Sequence, residues 1–313
     1  MDTFIQQVLN GLLSGSLYAL IALGYTMVYG ILRIINFAHG DVLMVGALVG
    51  LSAIRGLQAA FPQLPGVCVL VLAALVAMLV CALLATLIER VAYRRLRNAP
   101  RLAPLISGIG VSLLLQTLAM LVWSRNPLMF PQLLPMDPIQ VTSGPTGAIT
   151  NVTALVTIGV AAGVMTGLWL LVERTRLGRA MRAVAENPQV ASLMGINPDR
   201  IIVLTFALGG ALAALAGIMM AINYGSANFY MGFLPGIKAF TAAVLGGIGN
   251  LKGAMLGGIA LGLIEALGTG YLGQATGGVL GSNYQDVFAF VVLIGVLVLR
   301  PSGILGERLA SRA

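Results

Sequence analysis

Long apolar stretches without a charged residue make up most of the chain. They cover residues 3–32, 42–54, 56–88, 102–124, 138–172 and 201–237, and three shorter apolar runs follow at 239–251, 253–264 and 287–299. A helix that crosses the hydrocarbon core of a bilayer takes about 20 mostly apolar residues. The pattern therefore predicts an all-α polytopic membrane protein with eight or nine transmembrane helices, forming a single transmembrane domain over residues 1–313.

The composition agrees with a membrane protein and excludes other classes. Of the 313 residues, 58% are hydrophobic and 9% are charged, and the mean hydropathy is +0.97, whereas about a quarter of a soluble domain is charged. A soluble globular enzyme, a disordered chain and a collagen-like repeat are excluded. The two cysteines, Cys68 and Cys81, lie in one apolar stretch, and this spacing predicts neither a disulfide framework nor a metal site.

The distribution of basic residues predicts the orientation in the membrane. The net charge is +8, and segments 90–101, 173–200 and 300–313 hold five, five and three of the 18 Lys and Arg residues. Because cytoplasmic loops carry an excess of Lys and Arg, we expect these segments inside the cell, and we expect no binding to nucleic acid. The N-terminus is then periplasmic and the C-terminus cytoplasmic. The turn-forming residues 249–253 form the tip of a hairpin, which is either two full crossings or a re-entrant pair.

One polar segment, residues 175–197, has the signals of two short helices on the cytoplasmic face. Asn187 and Pro188 form an N-cap followed by proline at the first helical position, and Gly195 is placed to end that helix. Asn197 and Pro198 repeat the start signal for the helix that enters the membrane. The residues that we expect to dock on a partner are Arg179, Arg182, Glu186, Gln189, Ala191, Leu193, Met194 and Gly195. The alternative is an interfacial helix that rests on anionic lipid.

Several phrases of the chain resemble a known family. Gln189-Val190-Ala191-x-x-x-Gly195 resembles the Glu-Ala-Ala-x-x-x-Gly coupling loop of bacterial ABC importer permeases, with Gln and Val where that motif has Glu and Ala. The surrounding GRA…ENP…MGIN phrase at 178–197 is similar to the permeases of branched-chain amino acid importers. So are NGLLSGSLYAL at 10–20, INFAHGD at 35–41 and KAFTAAVLGG at 238–247. The chain looks like a LivH-type permease over nearly its whole length.

The resemblance implies a subunit of a larger importer in the bacterial inner membrane. Its partners would be a paralogous LivM-type permease, two cytoplasmic ATPases of the LivG and LivF types, and a periplasmic binding protein that delivers leucine, isoleucine or valine. ATP and magnesium would bind to the ATPases, and no cofactor would bind to this chain. The sequence agrees with that division, because no Gly-x-x-x-x-Gly-Lys-[Ser/Thr] motif occurs in it. The chain would receive motion at residues 175–197 and pass it to the helix that starts at Pro198.

Polar residues inside the apolar stretches are the candidates for the translocation path or its gate. Ionisable groups within a bilayer are costly and usually face a cavity or a partner. The candidates are Ser16, Tyr18, Tyr25, Asn36, His39, Asp41 and Glu265. A structural role is the alternative: His39 and Asp41 would pair with Arg33 or with each other, and Glu265 would anchor helix packing.

Two rival functions remain open at this point. An ion-gradient-driven secondary amino-acid transporter would use Asp41, Glu265 and His39 as coupling groups. A membrane enzyme is the weakest alternative, because neither a nucleophile–base pair nor metal-ligand spacing is present, so that no catalytic or metal-binding residue is predicted.

Overall fold

The computed structural model describes residues 2–97, 99–100, 102–135, 137–142, 147–276, 284–299 and 302–306. This part of the chain is almost entirely helical. Its helices are α1 (Asp2–Leu32), α2 (His39–Ala60), α3 (Gly66–Ile88), α4 (Leu102–Val122), α5 (Val152–Arg174), α6 (Arg176–Glu186), α7 (Pro188–Leu193), α8 (Pro198–Tyr224), α9 (Phe233–Gly246), α10 (Leu251–Ala275) and α11 (Gln285–Leu299). A π-helical turn, Glu89–Tyr93, and a 3₁₀ turn, Arg94–Leu96, continue α3.

Four very short strands form two antiparallel pairs. The strands are β1 (Leu128–Met129), β2 (Pro138–Gln140), β3 (Ile149–Asn151) and β4 (Ser226–Ala227). β1 pairs with β4, and β2 pairs with β3.

Seven helices in the described ranges are long and apolar enough to cross a bilayer, namely α1 to α5, α8 and α10. The helices α9 and α11 are apolar but have only 14 and 15 residues. The prediction of an all-α polytopic membrane protein is confirmed. Between residues 239 and 264 the structure has one short helix and the first part of a 25-residue helix, rather than two similar short ones.

The charge-free runs do not coincide with the helices at several places. α2 continues through Arg55 to Ala60, and α3 starts at Gly66, so that residues 56–88 contain a helix end, a connection and a new helix. The connection holds Pro62 and Pro65, and proline interrupts a helix because it lacks a backbone donor and its ring clashes with the preceding turn. The polar first third of 138–172 forms β2, β3 and their connection, and α5 starts only at Val152.

The described residues divide into two compact units. The second unit comprises residues 27–135 and 166–237, and in it α8 packs against both α2 and α3. Glycines allow the close approach: a Cβ on Gly46 would lie 2.4 Å from the Cα of Ala214, and one on Gly210 would lie 2.4 Å from the carbonyl oxygen of Cys81. Small residues bring helix backbones together where lipid supplies no hydrophobic driving force.

The first unit comprises residues 1–26, 136–165 and 238–313. α1 and α10 pack through glycines, since a Cβ on Gly258 would lie 2.5 Å from the Cα of Ala19. The predicted hairpin tip at 249–253 is only partly a turn, because α10 already starts at Leu251. The turn between α9 and α10 comprises residues 247–250, and its Gly247 and Gly249 have φ angles of +104° and +97°, which favour glycine. Residues 304 and 305 donate backbone hydrogen bonds to the last carbonyls of α9.

Candidate functional site

Residues 175–197, called here the coupling segment, form two short helices, as the sequence predicts. Thr175 caps α6 by accepting a hydrogen bond from the backbone N–H of Gly178 at 3.1 Å. The Oδ1 atom of Asn187 accepts from the N–H groups of Gln189 and Val190, at 3.0 and 3.1 Å, and thereby caps α7. These local bonds satisfy helix donors that would otherwise lack a partner, so the two helices have defined starts.

The end of the coupling segment is equally defined. Gly195 follows α7 with a φ of +81°, a left-handed conformation in which a glycine is favoured. Asn197 then caps α8 by accepting from the backbone N–H of Arg200 at 3.2 Å. The predicted N-caps and the predicted stop at Gly195 are confirmed.

The surface of α7 is apolar and open. Val190, Leu193 and Met194 are 53%, 87% and 78% exposed, whereas Ala191 is buried. The other predicted docking residues, Arg179, Arg182, Glu186, Gln189 and Gly195, are also exposed. Two consecutive large apolar side chains that are almost fully exposed are typical of an interaction surface.

Four charged side chains, called here the Glu89 cluster, meet beside the coupling segment. They are Glu89, Arg94, Arg97 and Asp199. Arg97 donates from Nη2 to Glu89 and from Nη1 to Asp199, the latter at 2.6 Å, and Arg94 donates to the other oxygen of Asp199. Asp199 lies in the first turn of α8, and Glu89 begins the π turn after α3.

The π turn also holds Tyr93, which reaches one of the predicted path residues. The buried hydroxyl of Tyr93 donates to Oδ1 of Asn36 at 3.0 Å, and its ring lies 5.7 Å from that of Phe206 in α8. Asn36 belongs to the connection between α1 and α2 and is buried. Arg33 in the same connection has a φ of +52°, which is unusual for a residue other than glycine.

His39 and Asp41 begin α2 and are both 2% exposed. The amide Nε2 of Gln116 in α4 donates to Oδ1 of Asp41 at 2.9 Å. The sequence suggested Arg33 as a partner for Asp41, but no ion pair joins the two among the residues described. The structure gives Asp41 a neutral partner instead, because α4 packs against α2.

A second charged group, called here the Lys238 cluster, lies in the first unit. It consists of Tyr18, Lys238, Glu265 and Asp286. The Lys238 ammonium donates to Oε1 of Glu265, to Oδ1 of Asp286 at 2.5 Å and to the hydroxyl of Tyr18 at 3.3 Å. The Tyr18 hydroxyl in turn donates to Oε2 of Glu265 at 2.8 Å. One ammonium therefore connects α1, α9, α10 and α11.

The structure groups the predicted path residues differently from the sequence. Tyr18 and Glu265 share hydrogen bonds, and the ring of Tyr25 lies edge-on to Phe240 at 6.2 Å. Ser16 is buried on the same helix. Asn36, His39 and Asp41 belong to the second unit. Their roles in the passage stay predictions.

Sequence reasoning missed several charged or polar partners, namely Glu89, Arg97, Gln116, Lys238 and Asp286. Glu89 and Lys238 lie at the ends of apolar runs. A charge at such a position usually marks a membrane interface. In the structure the two residues are only 0% and 8% exposed. The sequence contains no signal for this burial. Among the described residues no group of three His, Cys, Asp or Glu side chains could hold a metal ion.

Comparisons with known proteins agree along nearly the whole chain. Residues 7–297 match the family described as the permease component of branched-chain amino acid transport systems. The high-affinity branched-chain amino acid transport system permease protein BraD of Pseudomonas aeruginosa is 48% identical, over 97% of this chain and 96% of that protein. The corresponding LivH protein of Escherichia coli K12 is 44% identical, over 97% and 96%. A probable LivH of Methanocaldococcus jannaschii is 30% identical, over 96% and 92%.

Proposed function

The chain belongs to the family of branched-chain amino acid transport permeases, and on that premise we propose that its coupling segment is the docking site for separate ATPase subunits. The chain would be the membrane-spanning permease subunit of an ATP-driven ABC importer for leucine, isoleucine and valine. The single observation that supports the docking site is the exposed apolar surface formed by Val190, Leu193 and Met194 at α7. Family membership disfavours the alternative of an ion-gradient-driven transporter.

The division of labour within the importer is part of the proposal. ATP and magnesium would bind to the partner ATPases, since this chain carries no phosphate-binding Gly-Lys-[Ser/Thr] loop. A paralogous permease would complete the passage, and a periplasmic binding protein would deliver the amino acid. This chain would then be a transporter subunit that performs no chemical reaction itself.

The proposed orientation puts the coupling segment in the cytoplasm, together with the arginine-rich turn after α3 and the C-terminus. The N-terminus and the strands β1 to β4 would face the periplasm. The support is the concentration of Lys and Arg in segments 90–101, 173–200 and 300–313 of the chain. The membrane would be the bacterial inner membrane, which the ATPases reach from the cytoplasm.

The decisive experiment compares Leu193→Asp with the matched control Met129→Asp in the assembled importer. Both residues are more than four-fifths exposed, but Met129 lies on the side proposed to face the periplasm. We expect Leu193→Asp to abolish co-purification of the ATPases, because a charge would have to be buried in an apolar contact. The control should retain it. Normal co-purification of the Leu193→Asp variant would refute the docking site.

A second measurement tests the driving force for transport. Proteoliposomes that contain the chain alone should not accumulate leucine under a proton or sodium gradient. Vesicles with the whole importer, enclosed ATP and loaded binding protein should accumulate it. Accumulation by the chain alone under an ion gradient would overturn the ATP-driven function.

A further inference from the structure

The Glu89 cluster joins the start of α8, directly after the coupling segment, to the turn after α3 through the side chain of Arg97. Arg97 contacts both carboxylates, with Nη2 on Glu89 and Nη1 on Asp199. Asp199 lies just beyond the coupling segment, in the first turn of α8, and Glu89 follows directly on α3. Any displacement of the start of α8 therefore acts on Arg97 and its partners.

The two ends of this bridge differ in exposure. The side chain of Glu89 is completely buried, whereas that of Asp199 is 49% exposed. Removing a partner from a buried charge is strongly destabilising, but an exposed ion pair contributes little. The contact between Arg97 and Glu89 is therefore the energetically stronger end of this bridge, and the contacts to Asp199 are the weaker end.

Two atoms of the cluster are buried without a hydrogen-bond partner among the described residues. They are Oε2 of Glu89 and Nε of Arg97. Buried polar atoms normally have partners, so the described arrangement leaves hydrogen-bonding capacity unused at its buried end. Arg94 belongs to the turn that directly follows the π turn of Glu89, and its guanidinium has five N–H donors. Because Arg94 donates to Asp199, a withdrawal of Asp199 would free these donors.

We propose that Glu89, Arg94, Arg97 and Asp199 form a latch that closes in the described state and opens when the coupling segment moves. In the open state, Asp199 leaves with α8, Arg97 stays on Glu89, and Arg94 transfers to the free oxygen of Glu89. The inference rests on the proposed function, because the ATPases supply the displacement. Arg97 is a positioning residue in this scheme, since it acts through α8 rather than on the amino acid.

Tyr93 connects the latch to residues of the neighbouring helices. This residue shares the π turn with Glu89, donates to Asn36 in the connection between α1 and α2, and contacts Phe206 in α8. π-helical turns within helices are frequent at functional sites. A change in the π turn is therefore transmitted by one buried hydrogen bond to the interruption that separates α1 from α2.

The test uses Arg97→Lys in the complete importer, with Arg95→Lys as the matched control. Lysine keeps a positive charge for Glu89, but its compact ammonium does not reproduce the planar fork that contacts two carboxylates. Arg95 is exposed on the same turn and has no ion pair among the described residues. The measurement is the number of leucine molecules transported per ATP hydrolysed in proteoliposomes.

We expect Arg97→Lys to assemble normally and to hydrolyse ATP without loaded binding protein about 1.4- to 5-fold faster than the parent. This is the change that follows from losing one exposed contact. The leucine-to-ATP ratio should fall by a similar factor, and the control should match the parent. A merely structural defect would lower the amount of complex and leave the ratio unchanged.

A second variant keeps the latch testable if Arg97→Lys fails to fold. Asp199→Asn removes the exposed charge, leaves the buried pair of Arg97 and Glu89 intact, and should uncouple ATP hydrolysis in the same way. Parental ratios in a variant that assembles would refute the latch. Such a result would leave the proposed function standing, since that function fails only if the ATPases do not bind or the chain transports alone.

Discussion

Replacing Lys238 with methionine should be among the most destabilising single changes that this structure allows. Methionine keeps an unbranched apolar chain of similar length, with sulfur in place of the δ-methylene, and removes the ammonium. Glu265, whose side chain is completely buried, would then keep the Tyr18 hydroxyl as its only remaining partner in the Lys238 cluster. Asp286 would lose the same partner, but its side chain is 44% exposed. The cost of the substitution therefore falls mainly on Glu265.

The loss of stability depends on which buried charge the substitution leaves without an ion-pair partner. Breaking a buried ion pair by removing one partner costs about 3–5 kcal/mol. Glu265→Gln should cost less, about 1–3 kcal/mol, because it removes hydrogen bonds to a charged group while Lys238 keeps Asp286. The double variant Lys238→Met/Glu265→Gln leaves no buried, unpaired carboxylate in the Lys238 cluster. It should therefore be more stable than Lys238→Met alone, although it carries one more substitution.

The assay is the loss of the monodisperse detergent-solubilised protein on heating, followed by size-exclusion chromatography. At roughly 2 °C per kcal/mol for a large domain, Lys238→Met should lower the transition by about 6–10 °C. The double variant should recover at least half of that loss. Lys252→Met is the control, because Lys252 is exposed at the start of α10, and surface substitutions usually change stability by less than about 0.5 kcal/mol.

Two results would refute this reasoning. If Lys238→Met is as stable as the parent, the ammonium does not compensate the buried carboxylate. If the double variant is destabilised by the sum of the single effects, Lys238 and Glu265 are not energetically coupled, because additivity is the behaviour of independent sites.

Three further predictions concern packing, capping and topology. Gly46→Ala should destabilise the protein by about 1–3 kcal/mol through the close contact of α2 with α8, while Gly110→Ala, where a Cβ meets nothing, should leave thermal stability equal or higher. Asn187→Ala should cost α7 about 1 kcal/mol as a lost cap and reduce ATPase co-purification several-fold; unchanged binding would contradict the capping argument. Cysteines introduced at Met129 and Gln189, with the native cysteines replaced by alanine, should be labelled from the periplasm and the cytoplasm respectively; the reverse pattern would overturn the orientation.

Local rules account for the parts of the structure that could be predicted. The starts of α7 and α8 depend on Asn187 and Asn197, each followed by proline, and the end of α7 depends on Gly195. Each of these signals acts within a few residues and can be recognised from the sequence. The length of an apolar run is another local property, and it predicts the long crossing helices. The boundaries between α2 and α3 were predicted less well, because an apolar connection interrupted by proline looks like membrane helix when only charges are counted.

The pairing of charges was not predictable in the same way. Lys238 and Glu265 lie 27 residues apart, and Arg97 and Asp199 lie 102 residues apart. Glu89 and Lys238 each follow the end of an apolar run, a position at which a charge usually marks a membrane interface. In the structure they are buried, and the carboxylate or guanidinium that compensates each of them comes from another helix or turn.

The amino-acid sequence by itself determined the membrane class, the long helices and the capped coupling segment, and it resembled one permease family closely enough for the comparisons to confirm that family. Hydrophobic length and helix caps are properties of short stretches, so they need no knowledge of the packing. Only the tertiary structure decided that Lys238 joins four helices, that Arg97 bridges Glu89 and Asp199, and that Asp41 meets Gln116. Those contacts join residues that are far apart in the chain, and only the packing of helices within each unit brings them together.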